Sequence, residues 1–370
     1  MHELSQMIKD DIRPALGVTE PGAIAFAVAK ARSFTKGDIK KVNVAMNSGM
    51  YKNAFTCGIP NSNEVGNVFA AALGVVAGNA DKGLESLADV TPEDNVKAQE
   101  MIDQGKITVE LSGITSRIFI EATVETEEDK AIVTIRDSHT NITKIIVNDK
   151  VELETEDEKK TEEDGGEEES HSIHKYTLQQ LYDYVTTVDI EEIRFINEAY
   201  KVNLELFHEG LENPRTTFAR QLLAINKGKE VSDDEQKTAS LMCNAAIEAR
   251  VIGLDKPAMS ITGSGAHGII ATMPLYAAYK VNGYTEEQLL RATALSYLVC
   301  MYIKEYSGRL SAFCGCAIAA GSGMACALVY LRGGTVEMMA HTLNNMASSI
   351  TGMICDGGNQ GCTMKGIAAV

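Results

Sequence analysis

The chain has 370 residues, of which 45% are hydrophobic and 6% aromatic, and tryptophan is absent. This length provides for two domains, each with its own apolar core. The formal net charge of -17 argues against nucleic acid as a partner, because phosphate backbones are bound by clustered lysine and arginine. The same charge argues against docking on an anionic membrane surface.

The N-terminus and the cysteine content indicate a cytoplasmic protein. Met1-His2-Glu3-Leu4 has neither the basic start nor the apolar core of a signal peptide. The longest apolar runs, such as residues 314–330, are rich in Ala and Gly and fall short of a membrane span. Eight cysteines in such a chain are more typical of free thiols or metal ligands than of a disulfide framework.

Patterns in the first eighty residues predict helices around one strand. Thr19-Glu20-Pro21 is typical of a helix start, and the Ala-rich residues 22–31 continue that helix. Apolar and polar residues alternate at 42–46, which indicates a strand. Residues 61–78 are mostly small, so we expect a helix that packs closely on a neighbour.

The apolar period changes to two between residues 107 and 153, which predicts a small antiparallel sheet. Short polar turns at residues 127–129 and 148–150 separate its strands. We expect the earlier strand near Val44 to join this sheet. The predicted strands are residues 117–126, 130–136 and 143–147.

The second half of the chain is helical after an acidic segment. Residues 154–170 are dense in Glu and contain Gly165-Gly166, a composition typical of a solvated, flexible linker. The helical patterns and start signals that follow are residues 189–206, the capping boxes Ser232-Asp-Asp-Glu235 and Thr285-Glu-Glu-Gln288, and a helix from Thr335 to near Ser349.

The fold class predicted by these elements is α+β. We expect a large, mainly helical domain formed by both chain ends, with a smaller inserted α+β domain that carries an antiparallel sheet. The predicted bounds are residues 1–35 and 175–370 for the helical domain, 36–155 for the α+β domain, and 156–174 for an acidic flexible linker.

A glycine-rich turn at Thr262-Gly-Ser-Gly-Ala-His-Gly268 precedes an apolar run. Such a turn exposes backbone N–H groups at a helix N-terminus, which suits a carboxylate, and Ser264 and Gly265 are the candidate contacts. No Gly-Lys-Ser/Thr follows, so it is not a phosphate-binding loop. His267 can serve as acid, base or hydrogen-bond donor. The alternative interpretation is a tight turn with a structural histidine.

Two N-terminal segments carry further polar candidates. Lys52, Asn53 and Asn61-Ser62 lie where a strand leads into a helix and can bind a carboxylate or an amino group, although such loops often carry these residues for structural reasons. Cys57 in this loop is more typical of a packed thiol than of a ligand. Glu20 stands at a helix start, where the dipole favours an anion by roughly 0.3–1 kcal/mol, so it is either a capping residue or a site residue.

The cysteines fall into two groups. Cys243, Cys300 and Cys326 lie in apolar helical patterns and are typical core residues. Cys314-Gly-Cys316 and Cys355-Asp-Gly-Gly-Asn-Gln-Gly-Cys362 frame glycine-rich loops. Zinc knuckles usually space their thiolates two to four residues apart, whereas a loop of six can enclose an iron–sulfur cluster. Zinc ligation and buried or redox-active thiols stay as alternatives.

Five motifs resemble, in this order, the L-cysteine desulfidase family, which is related to the α part of iron–sulfur L-serine dehydratases. The resemblance covers nearly the whole chain, and its C-terminal cysteine motifs are specific. The motifs are Gly17-Val-Thr-Glu-Pro21, Lys52-Asn53 with Gly58-Ile-Pro60, Gly263-Ser-Gly-Ala-His-Gly268, Phe313-Cys-Gly-Cys-Ala317, and Ile354-Cys-Asp-Gly-Gly358 with Cys362.

The resemblance implies a four-iron four-sulfur cluster held by three cysteines, with the fourth iron open to a substrate. Cys355 and Cys362 match two ligands; the third is Cys314 or Cys316, with Cys316 favoured. The implied reaction is β-elimination from a small L-amino acid such as L-cysteine or L-serine, giving pyruvate, ammonia and sulfide or water. The substrate is the expected partner, and Ala/Gly-rich helices allow a homodimer.

One position departs from the family pattern. The family typically has Cys, its proposed proton-abstracting base, where this chain has Val18, and valine cannot move a proton. Glu20, Cys57 or His267 is then the candidate base. Otherwise the substrate differs, or the chain is a catalytically impaired amino-acid-binding or sensor homologue. Relatives usually continue after Cys362 with a further helical tail, so we expect an additional segment there.

Overall fold

The structure is a computed structural model that describes residues 1–115, 117–155, 173–308 and 310–370. Its strands are β1 (Arg13–Leu16), β2 (Ile39–Asn47), β3 (Ile107–Gly113), β4 (Phe119–Thr126), β5 (Lys130–Arg136), β6 (Ile142–Val147), β7 (Lys150–Glu154) and β8 (Pro257–Ser260). Its α-helices are α1 (Glu3–Asp11), α2 (Thr19–Arg32), α3 (Ser48–Ala54), α4 (Asn67–Ala77), α5 (Pro92–Asp103), α6 (Leu178–Thr187), α7 (Ile190–Ile193), α8 (Asn197–Glu212), α9 (Phe218–Ile225), α10 (Glu235–Val251), α11 (Gly265–Asn282), α12 (Glu286–Ser307), α13 (Gly321–Leu331), α14 (Val336–Ile350) and α15 (Gln360–Ala369).

The chain forms two compact units, and the predicted α+β fold class is confirmed. The first unit comprises residues 1–15 and the described residues from 173 onward, so both chain ends build the helical part. The second comprises the described residues from 16 to 155. Most of the predicted linker, 156–174, lies outside the described residues.

The boundary predicted at residue 35 differs from the structure, where the first unit ends at Ala15 and α2 belongs to the second unit. The reason is packing, because α2 lies against α4 and against strands β4 and β5. Gly74 of α4 allows a close approach, since a Cβ at that position would lie 2.8 Å from the Cα of Ala25. The Ala-rich helix therefore covers the sheet.

The sheet of the second unit has six strands in the order β3-β2-β4-β5-β6-β7. Strand β2 joins it next to β4, with Val44 opposite Ala122, as the alternating pattern predicts. The sheet is mixed rather than wholly antiparallel, because β2 and β3 run parallel. Helices α3 to α5 make the long crossover that a parallel connection requires.

Helix α4 begins at Asn67, six residues later than the predicted start at residue 61. Two backbone conformations explain the delay. Asn61 has a φ of 57° and Gly66 a φ of 95°, both outside the right-handed helical region. The residues between them form a loop that leads into the helix.

The first unit is built of Ala- and Gly-rich helices around α10, α11 and α12. Helix α10 packs against α8, α11 and α15, and α12 packs against α13. Gly268 is required where α11 crosses β8, because a Cβ there would collide with the carbonyl of Met259. No helix among the described residues combines the length and apolarity needed to cross a lipid bilayer.

Helix starts in this unit mostly follow the predicted caps. Thr285 and Gln288 form the expected capping box of α12, and Thr335 caps α14. The capping box predicted at Ser232 is wrong, because Asp234 caps α10 by accepting a hydrogen bond from the N–H of Lys237 at 3.0 Å. The hydroxyl of Ser232 instead donates to Asn226, at 2.6 Å.

Candidate functional site

The backbone ties the two cysteine loops of the first unit together. Phe313 and Ile354 form an antiparallel bridge, and the N–H of Cys314 donates to the carbonyl of Met353 at 2.8 Å. The N–H of Cys355 donates to the carbonyl of Ala312 at 3.0 Å. This register puts Cys314 diagonally across from Cys355. Diagonal neighbours of an antiparallel pair are about 7–8 Å apart, and their Cβ atoms somewhat less.

Three cysteine side chains converge at this point. The thiol of Cys316 hydrogen-bonds with those of Cys314 and Cys362. These hydrogen bonds lower the pKa of Cys314 and of Cys362, and they raise the pKa of Cys316 well above its ordinary value. Cys362 comes from the first turn of α15, and a π-helical turn that begins at Cys316 leads into α13. The sulfurs of Cys316 and Cys362 are thus positioned by the starts of two helices.

The donor set and the loop shape fit an iron–sulfur cluster. Thiolates are the usual ligands of such clusters, and here they come from separate glycine-rich loops. A Cβ on Gly315 would lie 2.6 Å from Nε2 of His267, and one on Gly361 would lie 2.5 Å from Oδ2 of Asp356. Within the described ranges, no three His, Cys, Asp or Glu side chains are arranged to hold a single metal ion.

His267 lies on the first turn of α11, buried, with its Nε2 directed at Gly315 of the cysteine loop. The hydroxyl of Thr262 hydrogen-bonds with Nδ1 of His267 at 2.6 Å, which anchors the ring. The sequence candidate His267 is therefore oriented towards the thiols.

A buried lysine faces the same loop and was not predicted from the sequence. Lys304 is 4% exposed and donates to the hydroxyl of Ser311 at 3.1 Å. Its Nζ lies 3.4 Å from the position that a Cβ on Gly315 would occupy. Lys304 stands in an apolar helical pattern. Lysine is rarely buried, so a lysine at an apolar position of such a pattern is the one sequence signal that could have identified it.

Lys304 also lines a cavity of about 220 Å³ in the first unit. Carboxylate and ammonium groups share its wall, which suits a small zwitterion. Asp11 accepts a hydrogen bond from the backbone N–H of Thr262, and this contact links the cavity to the turn that holds His267. The lining residues are Met7, Asp11, Ile173, Thr262, Met301, Lys304 and Glu305.

Ser264 and Gly265 lie at the start of α11, as predicted. Ser264 is the residue before the helix, and its side chain makes no capping hydrogen bond. A Cβ on Gly265 would lie 2.6 Å from Nε of Arg250, so the guanidinium group of this buried arginine packs on the glycine backbone. No sequence motif pointed to Arg250.

In the second unit, Glu20 is buried and bound by neighbouring side chains. Its Oε1 accepts from Nδ2 of Asn53 at 2.8 Å, and its Oε2 accepts from the hydroxyl of Thr19 at 3.3 Å. His139 lies with Nε2 at 3.8 Å from Oε1 of Glu20. The structure thus joins two sequence candidates, Glu20 and Asn53, and adds His139, which no motif pointed to.

Val18 and Cys57 are both buried in the second unit. Val18 is 2% exposed and occupies the position before the first residue of α2, where it makes no side-chain capping bond. Cys57 lies past the end of α3, and its thiol donates to the carbonyl of Ala54 at 3.4 Å. This local contact is what the packed-thiol interpretation predicts for Cys57.

Two of the remaining candidates of the second unit make hydrogen bonds that stabilise the loop in which they lie. Asn61 donates from Nδ2 to the carbonyls of Leu87 and Ala88, at 3.0 and 2.9 Å. The hydroxyl of Ser62 accepts from the N–H of Glu64 at 3.1 Å. Lys52 is half-buried on α3. The contacts of Asn61 and Ser62 give both residues a structural role.

The chain is similar to known proteins over most of its length. Residues 81–370 match the serine dehydratase alpha chain family. A UPF0597 protein of Clostridium botulinum (strain Langeland / NCTC 10281 / Type F) is 40% identical over 97% of this chain and 83% of its own length. UPF0597 proteins of Caldanaerobacter subterraneus subsp. tengcongensis and Bacteroides fragilis are 36% and 34% identical, each over 98% of this chain and 84% of their own length. No solved structure matches.

These matches confirm the expected relation to serine dehydratases, whereas membership of the L-cysteine desulfidase family stays a prediction. The family match includes both cysteine loops and the turn that carries His267. The chain therefore belongs to the serine dehydratase alpha chain family.

Proposed function

We propose that this protein is an iron–sulfur-dependent lyase that eliminates the β-substituent of a small L-amino acid, such as L-serine or L-cysteine. One observation carries the proposal: the thiols of Cys314, Cys316 and Cys362 meet beside the Cys355 loop in a serine dehydratase family chain. Cys355, Cys362 and one cysteine of the Cys314/Cys316 pair would hold a four-iron four-sulfur cluster. The substrate is the expected partner, and a homodimer stays a prediction.

When bound, the cluster supplies a Lewis acid that stabilises the departing hydroxyl or thiol group. The protein must bind the substrate and remove its α-proton. The α-proton and the β-substituent leave as water or hydrogen sulfide, and the resulting aminoacrylate takes up water to give pyruvate and ammonia. The glycine turn at residues 263–268 offers N–H groups for the carboxylate, and the cavity beside it has charges of both signs.

His267 is the candidate base that the geometry supports best. The contact of its Nδ1 with the hydroxyl of Thr262 anchors the ring, and its Nε2 is directed at the cysteine loop. Glu20, with Asn53 and His139 around it, is the second candidate. Cys57 is the third candidate, although its thiol already donates to a backbone carbonyl.

Cluster content and lyase activity of cysteine variants test the proposal. We expect anaerobically purified protein to contain iron and acid-labile sulfide and to form pyruvate from L-serine or L-cysteine. Cys355→Ala and Cys362→Ala should lose the cluster and the activity, because each removes a thiolate. Cys326→Ala is the matched control, since Cys326 is buried in α13 and should leave both properties unchanged.

Two results would contradict the proposal. One is a wild-type chain that takes up no iron after anaerobic reconstitution. The other is a Cys362→Ala protein with the iron content and turnover of the wild type. Parallel assays of sulfide from L-cysteine and of pyruvate from L-serine then distinguish a desulfidase from a dehydratase.

Val18 favours a second candidate function, an amino-acid-binding or sensor homologue without turnover. Its side chain fills a buried position at the start of α2, where the family resemblance implies a base cysteine. If the valine is the defect, Val18→Cys should raise pyruvate formation by about 10²–10⁴-fold, the usual contribution of a general base. Unchanged turnover in an already active chain would assign the proton transfer to another group.

A further inference from the structure

Helices α10 and α15, which pack against each other, carry polar atoms that the protein leaves unsatisfied. Gly366 of α15 packs against Asn244 and Ile247 of α10. Nε of Arg250, Oδ1 of Asn244 and Oγ1 of Thr363 are buried and find no hydrogen-bond partner among the described residues. Native interfaces rarely keep such atoms without a functional reason. Arg250 is the one of the three that carries a charge.

Arg250 lies close to the converging thiols. Cys362 precedes Gly366 by one helical turn, and Arg250 follows Ile247 by about one turn. The two helices run antiparallel, since Val370 at the end of α15 lies beside the start of α10. The C-terminal end of α10 and the first turn of α15 therefore meet at the cysteine site.

A second buried charged residue on the same helix, Glu248, has the hydrogen bonds that are typical of a structural role. Glu248 is fully buried, and its carboxylate accepts from the backbone N–H groups of Thr217, Phe218 and Ala219 at 2.7–3.1 Å. These bonds satisfy the first turn of α9, so Glu248 stabilises the fold. Arg250 is 3% exposed, and the described part of the chain offers its Nε no such partner.

A buried cation without such contacts destabilises the protein unless it faces an anion. The anion available at this place is the thiolate group, and a cluster held by three thiolates is negatively charged overall. We propose that Arg250 is a positioning residue that supplies the buried counter-charge to the cysteine-held cluster beside Cys362. This inference rests on the proposed function and adds a residue that acts through the cluster ligands rather than on the substrate.

Three variants separate this role from a structural one. Arg250→Met keeps the length of the side chain and removes the charge, while Arg250→Lys keeps the charge. Arg332→Met is the matched control, because Arg332 of the same unit is 58% exposed and pairs with Glu235. For each protein, the thermal midpoint of the iron-free chain, the iron retained against a chelator and the reduction potential of the cluster are measured.

We expect Arg250→Met to weaken iron retention by about 10–100-fold, the usual effect of losing a group that supports the ligands. Its cluster should have a lower reduction potential, because an added electron is less favourable without the nearby positive charge. The iron-free Arg250→Met chain should melt no lower than the wild type, since it no longer buries an unsatisfied charge. Arg250→Lys should restore the potential towards the wild-type value.

Each other outcome overturns the inference in a recognisable way. Wild-type iron retention and potential in Arg250→Met would show that the charge does not act on the cluster. A raised KM with unchanged iron and potential would assign Arg250 to the substrate carboxylate. A lower melting point of iron-free Arg250→Met would make it a structural residue. A wild-type chain without iron would refute the proposed function first, and this inference with it.

Discussion

At the scale of single residues, Gly315 is a position where the Cys314–Cys316 loop has little room. Its backbone is ordinary right-handed helix, with φ -57° and ψ -32°, so alanine would add no backbone strain. The added methyl group would lie 2.6 Å from Nε2 of His267 and 3.4 Å from Nζ of Lys304. The glycine is therefore required for space between the loop and two polar side chains.

We predict that Gly315→Ala lowers kcat by about a hundredfold, because a displacement of roughly 1 Å at reacting groups has that effect. Anaerobic kinetics with L-serine and L-cysteine measure it, with iron content determined on the same sample. Gly352→Ala is the control, since nothing lies within 4 Å of a Cβ placed there. A Gly315→Ala enzyme with wild-type kcat would show that His267 and Lys304 move aside freely.

Residue types and spacing in the sequence led to the cysteines and to His267, because these residues stand among glycines. They did not lead to Lys304, Arg250 or His139, which lie in ordinary-looking contexts. The first two interrupt apolar helical patterns. A cation at an apolar position of such a pattern is a usable sequence signal of a functional residue. His139 follows no motif, and only the fold brings it to Glu20.

At the scale of elements, the start of α10 depends on Asp234. Its carboxylate accepts from the N–H of Lys237 and pairs with the ammonium of the same residue at 2.6 Å. The side-chain contact with Lys237 first, and the backbone hydrogen bond second, lower the pKa of Asp234. The unfolded chain thus binds a proton at higher pH than the folded one, so folding favours the ionised cap.

This difference predicts how stability depends on pH. The contribution of the ionised cap is present above the ordinary pKa of Asp, about 4, and is lost as pH falls through the lower folded value. Asp234→Asn keeps a good cap but does not ionise. We predict that the wild type melts above Asp234→Asn at neutral pH and that this gap closes below about pH 3. Asp233→Asn, 89% exposed, should show no such gap.

Melting curves of the three proteins between neutral and acidic pH provide the measurement. A gap that stays constant with pH would mean that the carboxylate charge contributes nothing at this cap.

The capping box predicted at Ser232 was wrong for a local structural reason. Ser232 and Asp234 are both residue types favoured at an N-cap, and the hydroxyl of Ser232 is engaged by Asn226.

At the scale of the whole molecule, the fold class follows from the period of the apolar residues. The change from helical spacing to alternation near residue 107 identifies the inserted sheet, and the return to helical spacing identifies the larger unit. The parallel pairing of β2 with β3 could not be predicted, because the residue pattern of a strand does not specify which strand lies beside it. The boundary after Ala15 depends on the packing of α2, a long-range property.

The two-unit organisation leads to a prediction about cluster loading. All four candidate ligands lie in the first unit, and the Phe313–Ile354 bridge holds their loops together. A ligand that binds only the folded state at about 100 times its Kd adds about 2.7 kcal/mol to the free energy of unfolding. That stabilisation should be concentrated where the ligand contacts the chain.

We therefore predict that anaerobic reconstitution with iron and sulfide slows amide exchange at residues 310–316 and 353–362, while the strands of the second unit keep their exchange rates. Hydrogen–deuterium exchange followed by mass spectrometry, on loaded and chelator-treated protein, measures this. Cys362→Ala taken through the same reconstitution is the control and should show no added protection. Equal protection of β4 and β5 would mean that loading stabilises the chain as one cooperative body, because local binding at the cysteine loops cannot by itself slow exchange in a separately cored sheet.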